Sequence, residues 1–311
     1  MATAVRPLTE ADLSSADRIF RTAFGTFLGV PDPASFFGDA DYVATRWRAD
    51  PSAAFGAFRD DELMGSNFVA DWGSVGFFGP LTVRPDLWDQ GIAKQLMEPT
   101  VALLDERAVS LGGLFTFAQS AKHVGLYQRF GFWPQHLTAV MTKPVTAPAA
   151  PPRWSAFSDA SDPGALVAAC ADVTSAIYDG LDVGREIHAV ADQALGETVL
   201  LDVGDRLDAF AVCHIGPGSE AGSGTCYVKV GAVRPGPDAA ATFGQLLASC
   251  EELATRRNAA VLMAGVNTAR HDAYTELLRR GFRTALQGVA MTRPNGPGYN
   301  RRDVYLIDDW R

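Results

Sequence analysis

Three short motifs from the first half of this chain return in the second half 150 residues later. Val83-Arg84-Pro85 returns as Val233-Arg234-Pro235, and the sequences RFGF and MTKP, which begin at positions 129 and 141, return as RRGF and MTRP. Agreement at three places in one register indicates a tandem duplication rather than chance. We therefore predict two domains of the same fold, one in each half of the chain.

A segment rich in proline and alanine separates the two copies. Thr146–Pro152 reads TAPAAPP, and proline has a fixed backbone angle and no amide donor, so this segment suits neither a helix nor a sheet interior. It predicts an extended linker between a first domain at residues 1–145 and a second at residues 153–311. A chain of 311 residues, 47% of them apolar, can fill two cores of ordinary size.

Each copy begins with the same alternation of elements. In the first copy a strand at Val5–Leu8 precedes a helix with an apolar face, and strands at Ala53–Phe58 and Met64–Ala70 follow. The second copy has corresponding elements, which are a strand at Trp154–Phe157, a helix at Ala165–Tyr178, and strands at Glu197–Val203 and Asp208–His214 around the turn Gly204-Asp205-Arg206. This mixed order predicts an α/β (α+β) fold, in which a mostly antiparallel central sheet is flanked by helices.

The stretch from Gly76 to Ala93 has the pattern of an anion-binding turn. An apolar strand predicted at Gly76–Val83 runs into a polar turn, and a helix begins at Gly91-Ile92-Ala93. The free amides and the positive dipole end of a helix N-terminus attract anions, and glycine lets a ligand approach the backbone. We therefore predict a cradle for a pyrophosphate here. Pro99, inside the predicted helix, predicts a kink.

A second helix is predicted further along the first copy. It begins after Ser120, a residue type that caps helices, and ends at Gly131, a residue type that commonly terminates them. Val124, Tyr127 and Phe130 recur along it at helical spacing.

These two stretches together resemble the GCN5-related N-acetyltransferase (GNAT) superfamily. The family pattern V-x-P, then Q/R-x-x-G-x-G/A, corresponds to Val83–Pro85 and Trp88–Ala93, and the later L-Y-x-x-x-G-F corresponds to Leu126–Phe132. The sequence departs from the pattern at Trp88, Ser120 and His123, where the family usually has Gln or Arg, Asn, and Ala. The resemblance implies N-acetyl transfer from acetyl-CoA, with these cofactor-binding residues: Leu81, Thr82, Val83, Trp88, Asp89, Gln90, Gly91, Ile92, Ala93, Ser120 and Tyr127.

The catalytic residues are predicted from what acyl transfer requires. A neutral amine must attack the thioester, the oxyanion must meet a donor, and the departing thiolate must gain a proton. The resemblance places the backbone from Leu81 to Val83 beside the thioester. Tyr127 is the predicted general acid, since a phenol with a pKa of ~10 stays protonated at neutral pH. The general base is left open between His123, Asp71 and a chain of water molecules.

Aromatic residues are concentrated in the first copy. Fourteen of the 18 phenylalanines precede the linker, and four of them, Phe24, Phe27, Phe36 and Phe37, lie in and after the first helix. The resemblance implies that this segment and His123 bind the acceptor, which predicts an acceptor with an apolar or aromatic portion; core filling is the alternative. The acceptor itself is left open among a small amine, an amino-acid derivative, an antibiotic, and a protein N-terminus or lysine.

The second copy lacks the residues of the predicted cradle. Pro237 removes an amide from the turn, Phe243 would crowd a pyrophosphate, and Leu277 stands at the position equivalent to Tyr127. Tyr274, one helical turn earlier, is predicted to be a packed aromatic residue. We therefore predict cofactor binding by the first copy alone, and a structural or substrate-shaping role for the second.

Composition argues against several other functions. A net charge of −9 and the lack of any Lys/Arg run disfavour nucleic-acid and anionic-membrane binding, and the N-terminus has no apolar segment typical of a signal peptide or membrane anchor. The four cysteines show no metal-ligand spacing, which predicts reduced, buried thiols in a cytoplasmic protein without a metal site. A monomer and a homodimer are both compatible with the sequence.

The end of the chain and two alternative functions remain open. Val304–Ile307 is apolar enough to form an edge strand, and a crossing to the first copy would bring Asp308 or the terminal carboxylate near the predicted active site. The alternatives to an enzyme are a non-catalytic acyl-CoA-binding module and an interaction scaffold without CoA affinity.

Overall fold

The computed structural model describes residues 3–147, 152–203 and 206–311. The centre of the predicted linker, residues 148–151, and the predicted turn residues Gly204 and Asp205 lie outside the described residues.

The two halves contain matching elements in the same order. The first half, residues 3–147, forms β1 (Ala4–Pro7), α1 (Leu13–Leu28), α2 (Val43–Ala49), β2 (Ala54–Arg59), β3 (Glu62–Trp72), β4 (Val75–Phe78), β5 (Thr82–Val83), α3 (Ile92–Glu106), β6 (Leu111–Thr116), α4 (Ala121–Gln128) and β7 (Trp133–Pro144). The second half, from residue 152, forms β8 (Ser155–Ala156), α5 (Pro163–Ile177), α6 (Gly184–Asp192), β9 (Gly196–Val203), β10 (Arg206–Gly216), β11 (Gly222–Val233), α7 (Ala239–Arg256), β12 (Val261–Asn267), α8 (His271–Arg279), β13 (Arg283–Arg293) and β14 (Leu306–Ile307).

One continuous sheet runs through both halves. Its strand order is β1-β2-β3-β4-β6-β13-β7-β12-β11-β10-β9-β8, with β5 beside β3 and β14 beside β11. The strands are antiparallel except at the pairs β4–β6 and β11–β12. The predicted fold class, a mostly antiparallel sheet flanked by helices, is therefore confirmed.

The strand that follows the last helix of each half, β7 or β13, lies beside strands of the other half. β13 lies between β6 and β7, where Val289 is opposite Thr116 and Leu286 is opposite Val140. β7 in turn lies between β13 and β12, where Met141 is opposite Ala264. Since β7 and β13 are equivalent in the two copies, the halves exchange their terminal strands reciprocally.

The prediction of one continuous strand at Gly76–Val83 is wrong, because the structure has two separate strands there. β4 ends at Phe78 and β5 begins at Thr82, while β5 pairs with β3 and not with β6. Pro80 lacks the amide that a ladder position needs, so the strand is interrupted there. The interruption leaves an opening between β5 and β6.

The equivalent opening in the second half is filled by the chain itself. β11 is continuous, and Gly231 and Ala232, which correspond to Leu81 and Thr82 by the 150-residue offset, pair with β14. The strand predicted at Val304–Ile307 is thus shorter, at Leu306–Ile307, and belongs to its own half, where β11 is its partner among the described strands.

The cores follow from the apolar faces of the helices. α1 buries one face, including Ile19 and Phe20, and ends at Gly29, whose left-handed φ of 69° allows it to donate to two carbonyls of the last turn. Pro99 lies within α3, which continues through it. The four cysteines are free and buried, as predicted. None of the described helices is both long and apolar enough to span a membrane.

A buried group of four charged side chains joins the two halves. Arg46 of α2 donates to Glu220 through Nε at 2.9 Å and Nη2 at 3.0 Å. Lys229 of β11 lies between Glu220 at 2.8 Å and Glu186 at 2.9 Å. The exposed fractions of these side chains lie between 0% and 8%, so their two positive and two negative charges compensate one another away from water.

His214 packs against this group and predicts a pH dependence of stability. Its Nδ1 accepts from the amide of Glu220 at 3.3 Å, and burial, with the nearby Lys229, lowers the pKa of His214 to about 4. An imidazole titrates near pKa ~6.5 when unfolded, so its stabilising effect is complete above that pH and is lost as the pH falls through about 4. We expect the free energy of unfolding to fall by about 3 kcal/mol between pH ~6.5 and pH ~4.

Urea titrations across this pH range test the expectation. His214→Gln should flatten the decrease, whereas His188→Gln, at an exposed position of α6, should leave it in place. An unchanged slope in His214→Gln would show that another group causes the pH dependence.

Candidate active site

A single cavity of about 710 Å³ lies in the opening between β5 and β6. Its lining comes from α1 and the loop after it, from Phe78 to Val83, from the start of α3, from the end of β6, and from α4. Three residues of the second half, Leu286, Trp310 and Arg311, complete the lining. The elements that the sequence predicts as cofactor and acceptor sites therefore meet in one continuous cavity.

The start of α3 presents free amides to this cavity. Gly91 caps the helix with a left-handed φ of 79°, and a Cβ built there would meet nothing within 4 Å. The first helical amide that donates back to the turn is that of Gln95, at 3.3 Å from the Gly91 carbonyl, so the three amides of residues 92–94 point out of the helix end. This geometry can hold an anionic group, as the sequence predicts.

Most of the residues predicted for the cofactor line the cavity. Gln90 is the exception, since it is exposed and outside the lining. The others in the lining are Leu81, Thr82, Val83, Trp88, Asp89, Gly91, Ile92, Ala93, Ser120 and Tyr127.

Three basic side chains line the same cavity as the free amides. Lys94 lies on α3, Lys122 lies on α4, and Arg129 directly follows α4. Lys122 Nζ lies 2.5 Å from Asp89 Oδ1 and 6.0 Å from the centre of the Trp88 ring. Trp88 is itself fixed by a 2.9 Å hydrogen bond from its Nε1 to the carbonyl of Val83. This end of the cavity is therefore positively charged.

Tyr127 reaches the cavity from α4 and is 7% exposed. Its ring centre lies 5.7 Å from that of Phe78, and within the described residues its hydroxyl makes no hydrogen bond to the protein. Burial raises the pKa of Tyr127, so the phenol keeps its proton at and above neutral pH. A buried, unpaired phenol in a cavity is available to a ligand as a proton donor.

His123 lies one helical turn before Tyr127 and lines the same cavity. Its backbone amide donates to Ser120 Oγ at 3.4 Å, which caps α4, and its ring centre lies 5.1 Å from that of Phe27. Burial, and to a lesser extent Lys122, lowers the pKa of His123. The imidazole is therefore neutral at pH 7 and able to accept a proton.

Asp71 does not line the cavity, and its prediction as a candidate base is corrected here. It lies opposite Gly76 on β4, two residues and about 7 Å along the strand from Phe78, where the cavity lining begins. Its carboxylate instead contacts Arg107 at 3.3 Å and Arg185 at 3.6 Å. The sequence places Asp71 at the end of a strand but does not show which end of the next strand it faces.

The predicted acceptor residues form an aromatic wall. Phe24, Phe27, Phe36 and Phe37 all line the cavity. Ring centres lie 6.1 Å apart for Phe24 and Phe36, 4.2 Å for Phe36 and Phe37, and 5.0 Å for Phe27 and Phe117. Phe24, Phe27, Phe36 and Phe37 are half-buried, which is compatible with contact to a ligand.

The tail of the second half closes this wall, a feature that sequence reasoning leaves open. Beyond β14, Asp308 binds Arg270, and Trp310 packs on Phe77 and Gly113 of the first half. A Cβ at Gly113 would come within 2.5 Å of the Trp310 ring, so only glycine fits there. The sequence feature that could have indicated this contact is the apolar segment Val304–Ile307, which comes directly before the tail.

Arg46 connects the tail, the charged group and the cavity. Its Nη1 donates to the carbonyl of Gly79 at 2.6 Å, and its Nη2 donates to the carbonyl of Arg311. Sequence reasoning missed Arg46, since a single arginine on a helix carries no pattern. The bend between β4 and β5 is thus held by a side chain that is itself bound to the second half.

In the described part of the second half, the positions equivalent to this opening are filled by packed side chains and by β14. Leu277, equivalent to Tyr127, is fully buried, and Phe243 is buried with its ring centre 5.2 Å from that of Tyr305, next to β14. Tyr274 packs against the core, as predicted. Among the described residues there is also no group of three or more His, Cys, Asp or Glu side chains that could hold a metal ion.

Residues 17–132 match the family model described as "Acetyltransferase (GNAT) family". The matched segment runs from α1 to the end of α4 and contains the start of α3 and Tyr127. No curated protein matches the sequence.

Solved structures resemble the chain over both halves. A Pyrococcus horikoshii protein described as a candidate acetyltransferase aligns with a TM-score of 0.70 at 15% identity, covering 99% of this chain and 95% of that one. A GCN5-related N-acetyltransferase from Sphaerobacter thermophilus aligns with a TM-score of 0.61 at 16% identity, covering 94% and 95%. One from Anabaena variabilis aligns with a TM-score of 0.55 at 14% identity, covering 94% and 72%. At these identities the likeness establishes the fold of the whole chain.

Proposed function

We propose that this chain transfers an acetyl group from acetyl-CoA to an amine, because residues 17–132 match the GNAT acetyltransferase family model. The observation that carries the proposal is the single cavity that contains both the free amides at the start of α3 and the phenol of Tyr127. We further propose a catalytic domain at residues 1–145, a linker at 146–152, and a degenerate domain at 153–311.

The residues around α3 fit coenzyme A, which GNAT enzymes use. The amides of residues 92–94 and the basic side chains Lys94, Lys122 and Arg129 would hold its phosphates. The unpaired edge of β5 would accommodate the pantetheine arm beside Leu81 and Thr82. In the second half the equivalent edge is occupied by β14, so we assign one site per chain.

Bound acetyl-CoA would supply the acetyl group as a thioester. Tyr127 holds a proton on Oη and acts as the general acid for the leaving sulfur, since its raised pKa keeps it protonated. His123 is neutral, lies on the same face of α4, and accepts the proton of the acceptor amine. Amides between Leu81 and Val83 are the donors available to the developing oxyanion, because Pro80 has none.

Calorimetric titration of acetyl-CoA into the protein and two variants tests the cofactor site. Gly91→Glu puts a side chain on a backbone with positive φ and a negative charge beside the phosphates, so we expect binding to weaken roughly 30- to 150-fold, or ~2–3 kcal/mol. The wild type should bind one equivalent.

Ala241→Glu is the matched control, because Ala241 occupies the position equivalent to Gly91 in the second half and is exposed. It should bind as the wild type does. Loss of binding in Ala241→Glu, or two sites in the wild type, would show that the second half also binds the cofactor. A wild type that does not bind acetyl-CoA would contradict the proposed function.

A further inference from the structure

The charged side chains lining the cavity are mostly basic, although the chain as a whole carries a net charge of −9. The lining includes Lys94, Lys122, Arg129 and Arg311 and, over the part of the chain that the structure describes, one side-chain carboxylate, that of Asp89. Asp89 lies on the loop before α3 and pairs with Lys122 at 2.5 Å, and the backbone oxygen of Arg311 accepts a hydrogen bond from Arg46. The described side chains of the lining therefore offer no unengaged carboxylate to a cationic ligand.

The basic groups are not spread evenly. Lys94 lies on α3, Lys122 lies on α4, and Arg129 directly follows α4, and these are the residues that we assign to the phosphates. Arg311 is the one charged group of the lining that the tail contributes, and its Nε lies 3.1 Å from Asp309 Oδ2. The acceptor end of the cavity is thus electrically neutral and lined mainly by aromatic rings.

This aromatic end is held in place before any ligand binds. Phe37 has a positive φ of 66°, which a bulky residue adopts only when its surroundings enforce it, and its ring stacks on Phe20 at 5.4 Å with 3° between the planes. Arg21 of α1 donates to the carbonyls of Phe36 at 2.8 Å and Gly38 at 2.6 Å. The wall is therefore preformed, which favours rigid ligands that fill it.

The second half fixes the same loop from its other side. The amide of Asp41 donates to the carbonyl of Ser219 at 2.9 Å, and the amide of Gly218 donates to the carbonyl of Asp39 at 3.0 Å. Ser223 binds the Asp39 carboxylate through both its amide and its hydroxyl. Asp39 is thereby engaged outside the cavity and does not supply the missing negative charge.

Such an environment discriminates between classes of amine. Aromatic faces attract one ammonium group, which suits the reacting nitrogen, and apolar substituents gain by leaving water. A second positive charge would lose its hydration at the aromatic end without meeting a side-chain carboxylate. Diamines, polyamines and amino sugars with several amines are therefore disfavoured at this site.

We infer that the acceptor is a primary amine on an apolar, ring-bearing skeleton that carries no second positive charge. This inference rests on the proposed acetyl transfer and defines the substrate class of the same site. The aromatic wall of α1 and the following loop, completed by Trp310, selects the ring, and the lack of a free carboxylate rejects the additional charge.

Three primary amines test the inference, namely 2-phenylethylamine, hexylamine and 1,4-diaminobutane. Initial rates with acetyl-CoA give kcat/KM for each, and titration of each amine into the complex of the protein with CoA gives its affinity. We expect 2-phenylethylamine to exceed 1,4-diaminobutane at least ten-fold in both measurements, with hexylamine between them. Equal or higher values for the diamine would overturn the inference, as would failure of all three amines to bind.

Two variants of Phe27 separate charge from size. Phe27→Asp adds a carboxylate next to His123 and should raise the diamine's kcat/KM relative to that of 2-phenylethylamine at least ten-fold, whereas Phe27→Leu, similar in size but uncharged, should raise it far less and measures the effect of losing the ring alone. If Phe27→Asp does not fold, as judged by circular dichroism, the wild-type ratio still decides. A protein that binds no acetyl-CoA contradicts the proposed function and the inference with it, whereas one that binds acetyl-CoA but prefers the diamine contradicts the inference alone.

Discussion

Replacing Tyr127 with phenylalanine is expected to lower kcat for amine acetylation about 10²- to 10⁴-fold, the usual contribution of a general acid. The substitution removes one oxygen that has no partner within the protein, while the ring keeps its contact with Phe78. The dissociation constant for acetyl-CoA and the melting temperature should therefore stay close to those of the wild type. Steady-state kinetics and calorimetry measure the two effects separately.

The control for this experiment is Tyr274→Phe, which removes a phenolic oxygen one turn before the equivalent position of the second half. It should leave kcat unchanged. The pH profile adds a second check, because burial raises the pKa of Tyr127 and lowers that of His123. The rate of acetylation should therefore fall at pH values below the ordinary titration range of histidine and at pH values above that of tyrosine. A Tyr127→Phe variant that keeps more than a tenth of the wild-type kcat would refute the general-acid role.

Replacing Glu220 with glutamine is expected to cost about 3–5 kcal/mol of unfolding free energy, as breaking one partner of a buried ion pair commonly does. Glu220 accepts hydrogen bonds from Arg46 and Lys229, and its side chain is 0% exposed. Those cations hold the pKa of Glu220 well below its usual range. Without this carboxylate, two buried positive charges would share Glu186 alone. Urea unfolding followed by circular dichroism measures the loss.

Asp105→Asn is the matched control, because Asp105 also pairs across the two halves, with Arg293 at 2.7 Å, but is 58% exposed. An exposed ion pair of this kind contributes at most ~1 kcal/mol to the free energy of unfolding. If Glu220→Gln and Asp105→Asn lose similar amounts of unfolding free energy, the buried group of four charged side chains does not hold the two halves together. Arg46 also supports the bend at Gly79, so Glu220→Gln should in addition raise the KM for acetyl-CoA.

The features that could be predicted from the sequence are those that depend on interactions between residues close together in the chain. A glycine before a helix, a serine cap and an apolar stripe each act within a few residues, so the start of α3, α4 and the aromatic helix α1 could be predicted before any tertiary contact was known. The 150-residue repeat extended the same reasoning to the second half. These local features also brought the candidate site residues together, since each lies at the end of an element that borders the same opening.

The features that could not be predicted depend on contacts between distant segments. The motifs MTKP and MTRP are nearly identical, so the sequence cannot show that β7 and β13 each pair across to the other half. Asp71 was misplaced because its sequence position shows neither the register of β3 against β4 nor the arginines that engage it. Arg46 and Arg311 act through backbone carbonyls, which leave no trace in side-chain patterns.

The exchange of β7 and β13 makes the integrity of the cavity independent of how dilute the protein is. In two separate subunits that swapped these strands, Leu286, Trp310 and Arg311 would come from a second molecule and would be lost from the lining on dissociation. Joining the copies in one chain converts that association into an intramolecular one, governed by an effective concentration rather than by the amount of protein in solution. The second half therefore supplies part of the cavity wall at a fixed stoichiometry of one to one.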